Sequence, residues 1–300
     1  MTVNGIILLN KPFGISSNGA LKRVKYLLNI KKAGHTGSLD PIATGMLPLC
    51  FQEATKFSRF LLEANKAYEV TALLGVTTET GDIEGKILRQ TSVPEFTHDE
   101  INEVLNSFVG PQMQVPPMYS ALKQDGQPLY KLARQGIQVE RKARPIEIFN
   151  IQLLAIEPAE SPKSLQIRFR VACSKGTYIR SLVEDIGKRL NEVGAHVRAL
   201  HRTEVGSFKS HLMYSLEDIA LLVESNKIDE AVLPIEHALN TWKSVSLTES
   251  NTVFLKQGQR VKVAHPLAEW VKIFSHEGHF MGVGETLGDG WLAPRRLLQA

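Results

Sequence analysis

A chain of 300 residues with 43% hydrophobic and 22% charged side chains can bury a full core, and it is long enough for one large domain plus a smaller one. Its 35 Lys+Arg against 31 Asp+Glu leave a formal charge of +4, which excludes a histone-like polycation but allows a local basic patch that meets a polyanion. The two cysteines, Cys50 in Leu47-Pro48-Leu49-Cys50-Phe51 and Cys173 in Val171-Ala172-Cys173, exclude a disulfide framework and read as buried thiols of a reducing compartment.

Gly5 to Asn10 reads as a short strand stopped by Lys11-Pro12-Phe13-Gly14. The run Ile6-Ile7-Leu8-Leu9 is too short for a signal segment, and no stretch approaches the ~20 apolar residues of a membrane span. The expectation is a soluble, cytoplasmic protein. Ser16, Ser17 and Asn18 offer N-cap oxygens to a helix with Leu21, Val24 and Leu28 on one face. From Gly34 to Gly45, three glycines and Pro41 predict a loop without regular structure. Tyr68 to Leu74 alternates as a strand. Thr97 and Glu100 form a capping box before Ile101, Val104, Leu105 and Phe108, with Gly110 ending that helix. Pro145 to Ile156 is a further strand, and Leu165 to Cys173 is the cleanest period-two stretch. Ile179, Leu182, Val183, Ile186 and Leu190 then follow helical spacing. Strands and helices mix without regular alternation, which predicts an α+β fold. Leu233-Pro234 to Ser244 reads as a junction. The tail beyond it carries Gly258, Gly278, Gly282, Gly284, Gly288 and Gly290 among short apolar runs, the pattern of a small β-barrel or sandwich.

Glycines let backbone amides converge on an anion, but the Gly34–Gly45 loop lacks the Gly-Lys-Ser/Thr ending of a nucleotide P-loop. Asp40 within it has two readings of equal weight, a cap on the turn that Pro41 begins or a catalytic carboxylate. For Arg180 the default is a solvated charge, and the functional alternative is a guanidinium that holds a carboxylate ionised. His276-Glu277-Gly278-His279 resembles half a metal site, yet it has no third ligand nearby and reads as a hairpin turn. Between Lys123 and Arg144, six basic residues face two acidic ones, with Tyr119 and Tyr130 in or beside them. Such a run is usually a solvated face, although basic residues interleaved with aromatics also suit RNA.

Five ordered stretches carry a resemblance. They are Leu9-Asn10-Lys11-Pro12-Phe13-Gly14-Ile15-Ser16-Ser17, Gly34-His35-Thr36-Gly37-Ser38-Leu39-Asp40-Pro41-Ile42-Ala43-Thr44-Gly45, Lys66-Ala67-Tyr68, Ser174-Lys175-Gly176-Thr177-Tyr178-Ile179-Arg180, and Ala293-Pro294-Arg295-Arg296. Together they resemble the bacterial TruB-type tRNA pseudouridine synthases, from about residue 5 to the C-terminus. The resemblance implies an enzyme that isomerises the T-loop uridine of tRNA at position 55 to pseudouridine, by base flipping and an aspartate nucleophile. It implies a mixed, mostly antiparallel central sheet flanked by helices, with a C-terminal PUA-like β-barrel. The expected division is a catalytic domain over 1–244, with an RNA-gripping thumb at about 116–146, and an RNA-binding domain over 245–300. The family's nucleophile falls on Asp40, its active-site tyrosine on Tyr68 and its carboxylate-pairing arginine on Arg180. Substrate contacts fall on His35, Tyr68, Tyr178 and Leu200. Asn10 stands where many relatives have Asp, and the turn from Thr77 to Asp82 also varies.

The chemistry agrees with these residue types. The isomerisation involves no redox change and no net hydrolysis, so neither cofactor nor metal is expected. Tyr68 offers a flat ring for the flipped base and a phenol for proton transfer. His35 is placed to fill the gap that base leaves, Tyr178 to contact the base or ribose edge, and Leu200 to form an apolar wall. Two rivals stand beside this reading. One is a guide-RNA-dependent synthase of the same superfamily, and the other an RNA chaperone that binds without catalysis. The thumb-like insertion argues for stand-alone action on tRNA without guide RNA; no membrane partner is expected, and nothing in the sequence demands more than a monomer. Retention of Asp40, Tyr68 and Arg180 argues for catalysis.

Overall fold

Alternation along the first strand, Ile6–Lys11, sends Ile7 and Leu9 into one core and Ile6 and Leu8 into another. The partner strand Thr44–Phe51 does the same, with Leu47, Leu49 and Phe51 on the first side and Met46 and Cys50 on the second. A sheet buried on both faces needs cover on both. The computed structural model, which describes residues 3–161, 163–264 and 268–298, shows how it is covered.

The main sheet has eight strands. Seven run in the order Ile6–Lys11, Thr44–Phe51, Ala195–Val205, Lys66–Leu74, Leu165–Cys173, Arg144–Pro158 and Gly110–Gln114, and Ala33–His35 pairs alongside Thr44–Phe51. Its pairings are antiparallel except where His201 meets Thr44 and Arg202 meets Gly45. This mixed, mostly antiparallel sheet is the expected α+β architecture. Helix Ser17–Leu27 lays Ala20, Leu21 and Val24 over Ile7 and Leu9, joined by Ile219 of helix Leu216–Glu224. Helices His98–Asn106 and Ile179–Arg189 cover the other half of the sheet, packing Ile101, Leu105, Leu182 and Ile186 against Val70, Phe169 and Val171.

Local signals account for the helix starts. Ser16 accepts from the Gly19 amide, and Thr97 and Glu100 cap each other reciprocally. Two boundaries differ from expectation. Helix His98–Asn106 stops before Gly110, which opens a strand instead, because the sheet edge takes it opposite Ile148. The predicted Gly34–Gly45 loop is likewise shorter at both ends. Gly34 pairs with Cys50 and the next strand starts at Thr44, so only residues 36–43 are free of strand pairing.

The tail forms a five-stranded sheet in the order Lys243–Ser246, Ala268–Phe274, Phe280–Thr286, Trp291–Leu297 and Val261–Lys262, a curled half-barrel of PUA type. Helix Glu249–Lys256 lies within it, a helix the glycine-rich pattern does not reveal. The segment around Gly278 is the hairpin turn expected there. Cys50 and Cys173 are both buried free thiols, and burial pushes them up to about 12 and about 11. Among the described residues, no helix is long and apolar enough to cross a membrane.

Candidate active site

The loop 36–43 is pinned from below by its apolar residues. Leu39, Ile42 and Ala43 are buried in the same core as Tyr68 and Leu200. Asp40, between Leu39 and Ile42, keeps its side chain 40% exposed. Its backbone carbonyl, not its carboxylate, closes the turn by accepting from the Ala43 amide at 3.0 Å. Capping does not occupy the carboxylate.

Polar contacts fix the loop from its flanks. Ser17 Oγ accepts from the Leu39 amide at 2.7 Å and donates to the Leu39 carbonyl at 3.1 Å. Lys11, fully buried, donates through Nζ to the carbonyls of Pro12, Ile15 and Pro41. Burial lowers the Lys11 ammonium to about 8, with Asp40 pulling the other way. Arg202, the largest fully buried side chain, donates from Nε to the Met46 carbonyl at 2.7 Å and from Nη2 to the Gly37 carbonyl at 3.1 Å. The loop leaves through Gly45 at φ +95°, where an added Cβ would lie 2.4 Å from the Arg202 carbonyl oxygen. Only glycine lets the two strands approach so closely at that point.

Facing the loop, helix Ile179–Arg189 buries Arg180 in its first turn. The guanidinium Nε lies 3.0 Å from Asp40 Oδ2 and 3.9 Å from Asp82 Oδ2. Its two Nη atoms donate to the carbonyls of Thr80 at 2.9 Å and Tyr119 at 2.6 Å. Arg180 is therefore not a solvated charge. Asp82 is buried too, and its Oδ1 accepts from Thr80 Oγ1 and from the Glu84 amide. Burial raises the Asp40 carboxyl above its ordinary value, Arg180 opposes this most strongly, Asp82 adds to the rise and Lys11 opposes it.

Tyr68 sits on the central strand directly opposite Arg202, and burial raises its phenol above the ordinary value. Leu200 pairs with Val70 two positions away, buried against the loop. Tyr178 precedes the Arg180 helix, anchored by a reciprocal pair of hydrogen bonds between its backbone and the Gln114 amide group. Burial raises its phenol as well, with Ser120, Arg144 and Arg180 opposing and Asp40 adding. His35 ends its strand beside the loop with Nδ1 buried and unpartnered. Burial first, and then the Arg202 charge, lower its imidazole so that it is neutral at neutral pH.

Sequence reasoning names Asp40, Tyr68 and Arg180, which the fold brings together, but it assigns no role to Lys11, Asp82 or Arg202. Lys11 and Asp82 stand inside stretches already singled out. Arg202 had a fainter signal, an arginine two residues after the inward-facing Leu200 on one strand.

The excursion 115–143 leaves and rejoins the sheet edge at the paired residues Gln114 and Arg144. It carries a hairpin, Lys123–Gln124 with Gln127–Pro128, and helix Leu129–Arg134. Its root helps wall the site, because Tyr119 accepts from Arg180 and donates its hydroxyl to Glu79 at 2.8 Å.

Residues 25–179 match the N-terminal domain of the TruB family pseudouridylate synthases. Residues 180–240 match the tRNA pseudouridylate synthase B C-terminal domain, and 244–298 match the C-terminal region of pseudouridine synthase II TruB. The chain is 51% identical over 299 residues to tRNA pseudouridine synthase B of Nitrosococcus oceani, covering 99% of this chain and 95% of that one. It is 50% identical over 300 residues to the protein of the same name from Ectopseudomonas mendocina, with the same coverage. Among solved structures, a Cbf5–Nop10–Gar1 complex matches with a TM-score of 0.72 and 27% identity, over 94% of this chain and 78% of that one. An H/ACA ribonucleoprotein bound to a substrate RNA containing 2'-deoxyuridine matches with a TM-score of 0.75 and 24% identity, over 99% and 85%. The fold is that of the pseudouridine synthases. Within them, the chain belongs to the TruB family of pseudouridylate synthases.

Proposed function

We propose that this chain isomerises the T-loop uridine of tRNA, position 55, to pseudouridine, with Asp40 as nucleophile and without a guide RNA. The observation that carries the reading is the Asp40 carboxylate held 3.0 Å from the buried Arg180 while its side chain stays 40% exposed. In a folded tRNA the target base lies inside the loop stack, so it must be flipped out to reach this carboxylate. Asp40 attacks ribose C1′ or uracil C6 as the N1–C1′ bond breaks. The uracil then turns, C5 bonds to C1′, the carboxylate leaves, and the C5 proton is lost as N1 gains one. One C–N bond becomes one C–C bond with no change in oxidation state.

Arg180 keeps Asp40 ionised against the pull of burial. Tyr68 supplies a stacking ring beneath the base. Its phenol stays protonated at neutral pH, which favours a hydrogen-bond donor over a base. Leu200 and Tyr178 bound the pocket, and neutral His35 replaces the flipped base in the RNA stack. Residues 1–244 form the catalytic domain and 245–300 an RNA-binding domain, and the thumb at about 116–146 grips the stem-loop through its exposed cations. Asp40, Tyr68 and Arg180 all lie on one chain, so the proposed chemistry needs no second subunit, and the chain acts as a monomer in this reading.

Mass-spectrometric mapping of an isolated T-stem-loop, incubated with the pure protein and a chelator, tests the reading. Pseudouridine at the target uridine is expected. Conversion only when a second RNA is added would transfer the reading to the guide-dependent class.

A further inference from the structure

Arg202 is only 1% exposed, and among the described residues it makes no ion pair with a carboxylate. A buried cation without a counter-ion is costly, so its surroundings must use the charge. Two donors go to the carbonyls of Met46 and Gly37, which lie on either side of Asp40 in the chain and lock the guanidinium in place. Arg202 also stands directly across from Tyr68 on the neighbouring antiparallel strand, so both side chains rise from one face of the sheet.

On that shared face the Tyr68 phenol comes up against the Arg202 guanidinium, which opposes the rise that burial causes. A guanidinium has donors and no acceptor, so in this contact the phenol oxygen must accept. The phenol hydrogen is thereby turned away from Arg202, and among the described residues no protein acceptor takes it. Resting on the proposed function, we propose that Arg202 is a positioning residue for the isomerisation: it orients the Tyr68 hydroxyl so that its hydrogen is presented to an oxygen of the flipped nucleotide beyond the stacked base. The same cation lowers the phenol somewhat, against burial and the neighbouring Cys173 and Asp40, which all raise it.

The test combines Arg202→Met and Arg202→Lys with Tyr68→Phe, using single-turnover pseudouridine formation and RNA affinity. Arg202→Met is expected to slow the reaction by about 10²-fold, with RNA affinity within about threefold of the parent. In the Tyr68→Phe background the same change should cost at least about tenfold less, because the hydroxyl it orients is gone. Arg202→Lys, which keeps a donor-only cation, should recover most of the rate. Arg202→Gln, which stays polar but loses the charge, carries the same double-mutant comparison if the methionine variant fails to fold. Equal costs in both backgrounds would overturn the proposal.

A second arm needs no RNA. In protein labelled with 3-fluorotyrosine, the Tyr68 fluorine resonance, assigned by its loss in Tyr68→Phe, should titrate at higher pH in Arg202→Met and shift less in Arg202→Lys. An unmoved titration would remove the contact from the argument even if the chain made no pseudouridine. Absence of pseudouridine together with a moved titration would instead count against the proposed reaction.

Discussion

The cations around Asp40 and those on the excursion 115–143 carry the same charge but are held in opposite ways. Lys11, Arg180 and Arg202 are buried, and each donates to two or more backbone carbonyls. Lys123, Lys131, Arg134 and Lys142, with Arg144 at the rejoining strand, are exposed, and none is in an ion pair among the described residues. The first group has its geometry set by folding, before RNA arrives, which is how charges act on a reaction rate. The second group lies in solvent; in the proposed function it would meet phosphates there, where salt screens it and released counterions set the affinity. One set should govern rate, the other binding.

The sharpest way to break that division is Asp40→Asn. Single-turnover conversion should fall by on the order of 10⁴-fold or more, with tRNA affinity retained in a filter-binding titration. The folded-state value of Asp40 is raised, so between the unfolded and folded values the folded protein holds more protons. Stability therefore falls as pH rises through that window. Asn removes this dependence, so the variant should melt no lower than the parent at neutral pH. Normal turnover would end the nucleophile assignment.

Arg180→Lys should act next most strongly, by about 10²- to 10³-fold in rate. Removing the guanidinium weakens the main influence that lowers Asp40, so the acid limb of the pH–rate profile should move to higher pH. An acid limb that stays put would mean another group titrates there. The smallest effect belongs to the thumb. Exchanging Lys123, Lys131 and Arg134 for Gln should leave the rate at saturating RNA unchanged and weaken binding several-fold. The slope of log affinity against log salt should become shallower by about 0.9 for each phosphate that is no longer neutralised. A reduced saturating rate with an unchanged salt slope would reverse the roles of the two groups.

What the sequence reveals depends on how local its cause is. The alternation from Leu165 to Cys173 marks that strand to the residue, and the Thr97–Glu100 capping box marks the start of its helix. Helix Glu249–Lys256 stays hidden because it buries only Thr252 and Leu255, too little for an apolar stripe, among glycines that suggest turns. In the site, the loop bearing Asp40 stands out through its own glycines and proline. Arg202 and Asp82 do not, because their meaning comes from the short parallel contact at Thr44 and Gly45 and from the closeness of a turn to a helix about a hundred residues away. Long-range pairing is what single-sequence reading lacks.

The tail sheet does not hang from the rest of the molecule as a separate bead. Trp270 and Phe280 interlock with Phe57, Phe60 and Trp242 of the larger body, with ring centroids 5.5 to 5.8 Å apart, and Lys56 Nζ donates to the Leu297 carbonyl. Val283 lies in the same core as Ile6 and Met46. Cutting the chain at residue 244 would leave a wet aromatic scar on the body, and a shortened protein would reveal its stickiness before its affinity for RNA.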